Sequence, residues 1–184
     1  IVEEISYFFK SRIINLLEEL MIEPDIIQSV ISGNMAVEKL LSDPYDIKLK
    51  ADLLSSMKND GKLSALNKVV NRASKLADKG DLPMNILIAK NVVNQDLFES
   101  NVEINLLNIV RSIEPIVLDN SYKRYELLAE KLVLASKALE DFFDGKDSVM
   151  VMTDHIEVRN NRLNLLGVLR NQAMQIADFT NIIG

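Results

Sequence analysis

KLSALNKVVNRASKLADKG, residues 62–80, decides the fold class. Leu63, Leu66, Val69, Val70, Ala73, Leu76 and Ala77 recur at steps of three and four, which is the spacing of one helical face. The stretch therefore reads as an amphipathic helix over 62–79 with those residues turned to a core. Gly80 follows the last periodic residues and is expected to close the helix in the left-handed conformation. The opposite face carries Lys68, Arg72, Lys75 and Lys79 at spacings of four, three and four. They form one basic stripe roughly 16 Å long at about 1.5 Å per residue, enough to follow two or three phosphates of a strand. No acid at i±4 interrupts it, although acids outnumber bases in the chain, 27 to 21.

The same periodicity extends outward in both directions. Ile5, Phe8, Phe9, Ile13, Leu16, Leu17 and Leu20 place a first helix over 3–21. Pro24 and Pro44 read as first-turn prolines, where the missing amide hydrogen costs nothing, and open helices over 24–32 and 44–58 with a short one over 36–42 between them. Asn59-Asp60-Gly61 is a turn. After Gly80 a shorter apolar segment, MNILIAKNVV, precedes a helix over 95–117 that Pro115 is expected to end or kink near Glu114. A helix over 121–143, a loop with Gly145, and a last helix over 154–181 complete the chain, with Asp154 and Glu157 spaced as a capping box. Only 6 Gly and 4 Pro in 184 residues leave too few turn residues for a fold of many tight β-turns. The expected architecture is an all-α antiparallel helical bundle over 61–184, with residues 1–60 as an N-terminal helical subdomain packed on it or merged into one unit.

Composition excludes several kinds of chemistry. With no Cys and one His, thiolate-zinc sites, thiol nucleophiles and multi-histidine cages are ruled out. At 48% apolar residues the core needs no metal or disulfide. No apolar run approaches the roughly 20 residues that cross a bilayer, so a membrane role is not expected and a cytoplasmic location is. A start at Ile1-Val2-Glu3 is expected of a piece cut from a longer protein. His155 beside Asp154 is the only acid/base pair with an imidazole, and both fall in a first helical turn. No G-x-S-x-G, G-x-x-x-x-G-K-[ST] or G-x-G-x-x-G string occurs, so catalysis by this stretch alone is not expected.

The net charge of −6 argues against a polyanion partner until it is divided along the chain. Residues 62–90 hold six basic groups against two acidic, while 1–43 and 91–147 are each at −5. The positive charge is concentrated where the stripe lies. On the last helix Val158, Leu165, Leu166, Leu169, Ala173 and Ile176 form the apolar arc, and Asn160, Asn164, Asn171, Gln175 and Asp178 the opposite, wet one. Arg159 and Arg170, eleven residues and so about 20° apart on the wheel, lie together at the border of the apolar arc, where one ligand could reach both. Arg162 falls inside it and reads as a structural arginine paired with a buried carboxylate or with carbonyls, as does Arg12 on the first helix.

The run FFDGKDSVMVMTDHIEVRNNRLNLLGVLRNQAMQIADFTNI, residues 142–182, closely resembles the end of the β subunits of bacterial-type glycyl-tRNA synthetases, with FFD, VMVM, RNNRL and ADF in that order. FFKSRIINLL (8–17), DIIQSV (25–30) and NKVVNRASKL (67–76) resemble the upstream part of the same subunit. The resemblance implies an all-α anticodon-binding domain of the DALR type, although the letters DALR are absent here. It implies tRNA(Gly), the α subunit and the remainder of the β subunit as partners in an α2β2 assembly. It also implies that ATP with Mg serves glycine activation at the α subunit, with no cofactor in this stretch. On this footing Lys68, Arg72, Lys75 and Lys79 are candidate phosphate contacts, and Arg159, Asn160, Arg170 and Asn171 candidate base or sugar readers. VMVM reads as a core-seating segment, most Phe as core, and Tyr122 and Tyr125 as the rings to find exposed. The alternative from another class is a non-catalytic helical scaffold whose basic stripe docks an acidic protein.

Overall fold

A computed structural model describes residues 2–31, 40 and 42–183, so most of the short helix expected over 36–42 lies outside the described residues. Among the described residues seven α-helices carry the architecture: α1 Val2–Glu19, α2 Pro24–Ile31, α3 Pro44–Asn59, α4 Lys62–Ala77, α5 Asn101–Val117, α6 Arg124–Asp144 and α7 Ile156–Ala173. Single 3-10 turns occupy Gln95–Leu97 and Phe179–Asn181, and no strand occurs among the described residues. The all-α bundle read from the periodicity is the fold.

Local chemistry sets the helix boundaries. At α3 the Asp43 carboxylate accepts from the Asp46 amide at 3.1 Å with Pro44 in the first turn. Gly61 takes φ +71, the left-handed region that favours glycine, and so lets α3 fold back into α4. The capping box of this chain is at Ser100 and Glu103, which open α5 by exchanging side-chain and backbone hydrogen bonds. Asp154 makes no such box: α7 begins one residue later, with His155 at its N-cap and no side-chain cap. Pro115 does not end α5 near Glu114: the helix runs through it to Val117, and the Leu118 amide donates to the Glu114 carbonyl. Gly80 is not left-handed. α4 closes at Ala77 through Lys79 and Gly80 amides donating to Leu76 and Ala77 carbonyls, and Gly80 instead provides clearance, since a Cβ there would lie 3.1 Å from Leu163 Cβ.

One apolar core runs from Leu17 to Ile182, with Phe142, Leu106, Leu132, Leu139, Leu165 and Leu169 fully buried at its centre. Helices α4 and α7 pack antiparallel. Asn67 early in α4 donates to the Ile182 carbonyl beyond α7 at 2.9 Å, Asp78 meets Arg170 at 2.8 Å, and Gly80 abuts Leu163. Residues 1–60 join the same core and are also tied by polar contacts. The Asp178 amide donates to the Ser29 carbonyl at 2.8 Å, and the Ile183 amide to Asp25 at 2.9 Å. Burial pushes the Asp25 carboxyl up, but the Ile183 and Ile26 amides and Lys58 outweigh it and hold the carboxyl below its ordinary value. In α3, Asp46 is buried with Lys50 at 2.8 Å and accepts from the Tyr125 hydroxyl. Tyr125 is therefore a core residue, not an exposed ring; burial and then the Asp46 hydrogen bond push its hydroxyl pKa well up.

The first helix departs from its periodicity-based reading. Leu17 is buried and Ile13 and Ile14 partly so, whereas Ile5, Phe8, Phe9, Leu16 and Leu20 are exposed, so the apolar stripe exists but is largely uncovered. Arg12, expected to be paired in a core, is exposed as well. In VMVM the side chains alternate: Val151 is buried, Met150 and Met152 are exposed.

Candidate nucleic-acid interface

Helix α4 turns its apolar arc inward as read, with Leu63, Leu66, Val69, Val70, Ala73 and Ala77 buried and Leu76 at the border. That leaves Lys68, Arg72, Lys75 and Lys79 exposed, and together with Asn71 and Leu76 they line one open groove of about 550 Å³. A single helix face thus presents four cations in a row. Among the described residues only Arg72 of the four is engaged: its Nη1 donates to Asp144 Oδ2 at 2.6 Å and its guanidinium lies 4.4 Å from the centroid of the Phe143 ring. Both members of the ion pair are about half exposed or more, 48% and 66%, so the pair is worth little against a competing phosphate. Asp144 closes α6 and reaches α4 only through the tertiary packing, so spacing within α4 gave no sign of it.

Helix α7 is buried nearly all round. The arc opposite its apolar face is wet only in part: Asn160 is exposed and Asn164, Gln175 and Asp178 are half-buried, while Asn171 is buried under the irregular segment 78–97. A backbone without helix or strand ladders leaves carbonyls that need donors, and the polar side chains of α7 provide them. Asn171 is wholly buried and donates through Nδ2 to Pro83 and Ile86 carbonyls, both at 2.9 Å. Gln172 does the same for Leu87 and Val110 at 2.9 and 3.1 Å. Arg170 is 5% exposed, donates to Asp78 at 2.8 Å and to the Leu82 carbonyl at 3.2 Å, and meets Asn171 Oδ1 at 3.1 Å. Arg170 and Asn171, expected as readers of bases or sugars, are therefore buried and committed to the segment they hold.

The RNNR block divides in the same manner. Arg162 is structural, as read: its Nε donates to the wholly buried Glu103 at 2.8 Å, Nη2 to Glu99 at 2.7 Å and Nη1 to the Met150 carbonyl at 3.1 Å. Burial works against its charge, and the bonds to Glu103 and Glu99 outweigh that and hold its pKa above the ordinary value. Asn161 clamps the backbone of one residue, accepting from the Asn94 amide at 2.7 Å and donating to the Asn94 carbonyl at 2.8 Å. Arg159 and Asn160 face outward, half-buried and exposed respectively. Arg159 is one turn of α7, about 6 Å, from Leu163, which abuts Gly80.

Tyr122 is exposed, as expected, though its hydroxyl donates to Asp43 at 2.8 Å. Phe142, Phe143 and Phe179 are core; Phe8 and Phe9 are not. Among the described residues no group of three or more His, Asp or Glu side chains is placed to hold a metal ion, and no helix is long and apolar enough to cross a membrane.

No family model matches the chain. Individual proteins do. It is 37% identical over 99% of its length to the glycine–tRNA ligase beta subunit of Gloeothece citriformis, and 37% identical over 98% to that of Picosynechococcus sp.. Similarity persists at greater distance, at 26% identity over the whole chain to the beta subunit of Clostridioides difficile. The chain spans about a quarter of the length of these relatives, 26% in the first two.

Proposed function

The chain belongs to the glycine–tRNA ligase beta subunit family, of which it matches a C-terminal region, and from that premise we propose that it binds tRNA, holding the anticodon arm of tRNA(Gly) along α4. The observation that carries the reading is the row of Lys68, Arg72, Lys75 and Lys79 around one groove in a chain whose net charge is −6. Phosphates of the arm lie along this row, where Lys and Arg release condensed counterions, and Arg159 extends the track. Asp144 yields Arg72 to the incoming phosphate. The anticodon bases, unstacked, then offer their edges to side chains at the start of α7.

No catalytic step is placed on this chain. On this reading glycine activation with ATP and Mg belongs to the α subunit, and the chain contributes affinity and selection for tRNA within an α2β2 enzyme. Kinship with a tRNA ligase subunit favours this reading over a scaffold that docks an acidic protein.

The test is salt-dependent binding of glycine-accepting tRNA, followed by fluorescence anisotropy. Four phosphate contacts give a slope of log K against log salt of about −3, at about −0.7 to −0.9 per contact. The double variant Arg72→Glu/Lys75→Glu is expected to weaken binding at least tenfold and to reduce the slope by about 1.5. Unchanged affinity and slope with the helical signal intact would show that α4 does not hold the phosphates.

A further inference from the structure

The cations along α4 cannot distinguish RNA from DNA, because both carry the same phosphates; the group that differs is the 2′-hydroxyl. Of the six residues that line the groove, four are cations and Leu76 is apolar, which leaves Asn71 as its one neutral polar side chain. Asn71 is half-buried and makes no side-chain hydrogen bond to the described residues. Its Oδ1 is sealed from solvent without a donor, whereas its Nδ2 reaches the surface. Asn67 and Gln172 also hold a carboxamide oxygen without a donor, but each donates through its nitrogen to backbone carbonyls, Asn67 to Ile182 and Gln172 to Leu87 and Val110. Asn71 serves no such contact. Asparagine is a weaker helix former than Ala, and a buried unpaired oxygen adds a further cost, so the fold gains no hydrogen bond from the residue that interrupts α4 here.

The position of Asn71 gives the unpaired amide a task. It follows Lys68 by three residues and precedes Lys75 by four, about 4.5 Å beyond the one and about 6 Å short of the other along the helix axis. At about 100° per residue it forms one border of the basic stripe and Leu76 the other, about 140° round the helix. A strand whose successive phosphates meet Lys68 and Lys75 carries the intervening ribose past Asn71. The phosphates themselves have the charged donors of three lysines and Arg72, which form the stronger hydrogen bonds to them. A neutral N–H suits the neutral hydroxyl, which accepts as well as donates.

We propose that Asn71 reads one ribose: its Nδ2 donates to the 2′-hydroxyl oxygen of a nucleotide whose flanking phosphates sit on Lys68 and Lys75, and this contact makes the groove prefer RNA to DNA. The inference rests on the tRNA-binding reading, and the experiment separates the two. Hairpins with the anticodon stem and loop of a glycine-accepting tRNA, each carrying 2′-deoxyribose at one position in turn, are titrated against the whole chain by fluorescence anisotropy. The parent chain binds the hairpin deoxygenated at one position about fivefold more weakly than the all-ribose hairpin, the scale of one neutral hydrogen bond. Asn71→Ala weakens the all-ribose hairpin by the same factor and no longer senses that deoxyribose. Its helical signal is that of the parent and its melting temperature is equal or higher, since an unpaired polar group gives way to the best helix former. Lys79→Glu weakens every hairpin alike and keeps the difference at that position. If Asn71→Ala retains the sensitivity or weakens all hairpins equally, or if no single deoxyribose matters to the parent, while Lys79→Glu still acts, Asn71 does not read a ribose although the stripe binds RNA. If Lys79→Glu changes no affinity, the stripe reading fails and the ribose contact with it.

Discussion

The Glu103–Arg162 pair allows a stability calculation that separates architecture from recognition within RNNR. Glu103 is wholly buried and accepts from Arg162 Nε at 2.8 Å and Nη2 at 3.3 Å, and from the Glu99 and Ser100 amides at 2.8 and 3.0 Å. Arg162→Met deletes the cation and strands a buried carboxylate that keeps its two amide donors, a cost near the lower end of the 3–5 kcal/mol range for breaking a buried pair, about 3 kcal/mol. Glu103→Leu strands the guanidinium with only the exposed Glu99 and the Met150 carbonyl, and also removes the capping box. Its expected cost is about 5 kcal/mol, of which about 1 is the cap. At about 2–4 °C per kcal/mol for a chain of this size, the melting temperature falls by about 6–12 °C for Arg162→Met and about 10–20 °C for Glu103→Leu. The double variant removes both charges and is expected to cost at least 2 kcal/mol less than the sum of the singles, as neighbours in one network do. Thermal unfolding followed by circular dichroism reads all three. A loss below about 2 °C for Arg162→Met, or strict additivity in the double variant, would refute the argument that the pair is a coupled structural unit. Affinity for tRNA per folded molecule stays unchanged in each case.

Two further outcomes follow from the polar contacts. Asn171→Ala leaves the Pro83 and Ile86 carbonyls without their donor, and at about 1–3 kcal/mol for a stranded buried group it is expected to cost roughly 2–4 kcal/mol in denaturant unfolding; a loss under about 0.5 kcal/mol would mean that water replaces the amide. Asp25, held below its ordinary value, contributes stability that is complete above its unfolded pKa, about 3.9, and is lost as pH falls through the lower folded value. Asp25→Asn therefore lowers stability near neutral pH and flattens the acid limb below about pH 4 relative to the parent, and parallel acid limbs in equilibrium unfolding would contradict this.

What the amino-acid order revealed depended on whether an element's neighbours mattered. Both faces of α4 were legible, though not its closure, because seven apolar residues on a single arc define a core face whatever packs on it, and the four cations are exposed as the complement of that arc. For α7 the apolar arc was right, and the polar arc was right at Asn160 but wrong at Asn171, because the segment that covers Asn171 has no periodicity of its own. MNILIAKNVV did carry a signal: an apolar run without helical spacing must be covered, and its carbonyls need donors that a face rich in Asn and Gln can provide. The Ser100–Glu103 box was readable by the same rule that was applied to Asp154, but a helix drawn from 95 hid it. Asp144 beside Arg72, and the exposure of the α1 stripe, depend on distant packing and left no local trace.

The carbonyls of Leu82, Pro83, Ile86, Leu87, Val92 and Asn94 accept from α7 side chains, and Asn171 lies 88 residues after Pro83. Synthesis at roughly 5–20 residues per second places the acceptors several seconds ahead of their donors. During that interval α4 can form by its own periodicity while the strap beyond it has no partner. The contacts of Asn161 with Asn94 and of Asn164 with Val92 are thus among the last features of the bundle to be assembled, after α4.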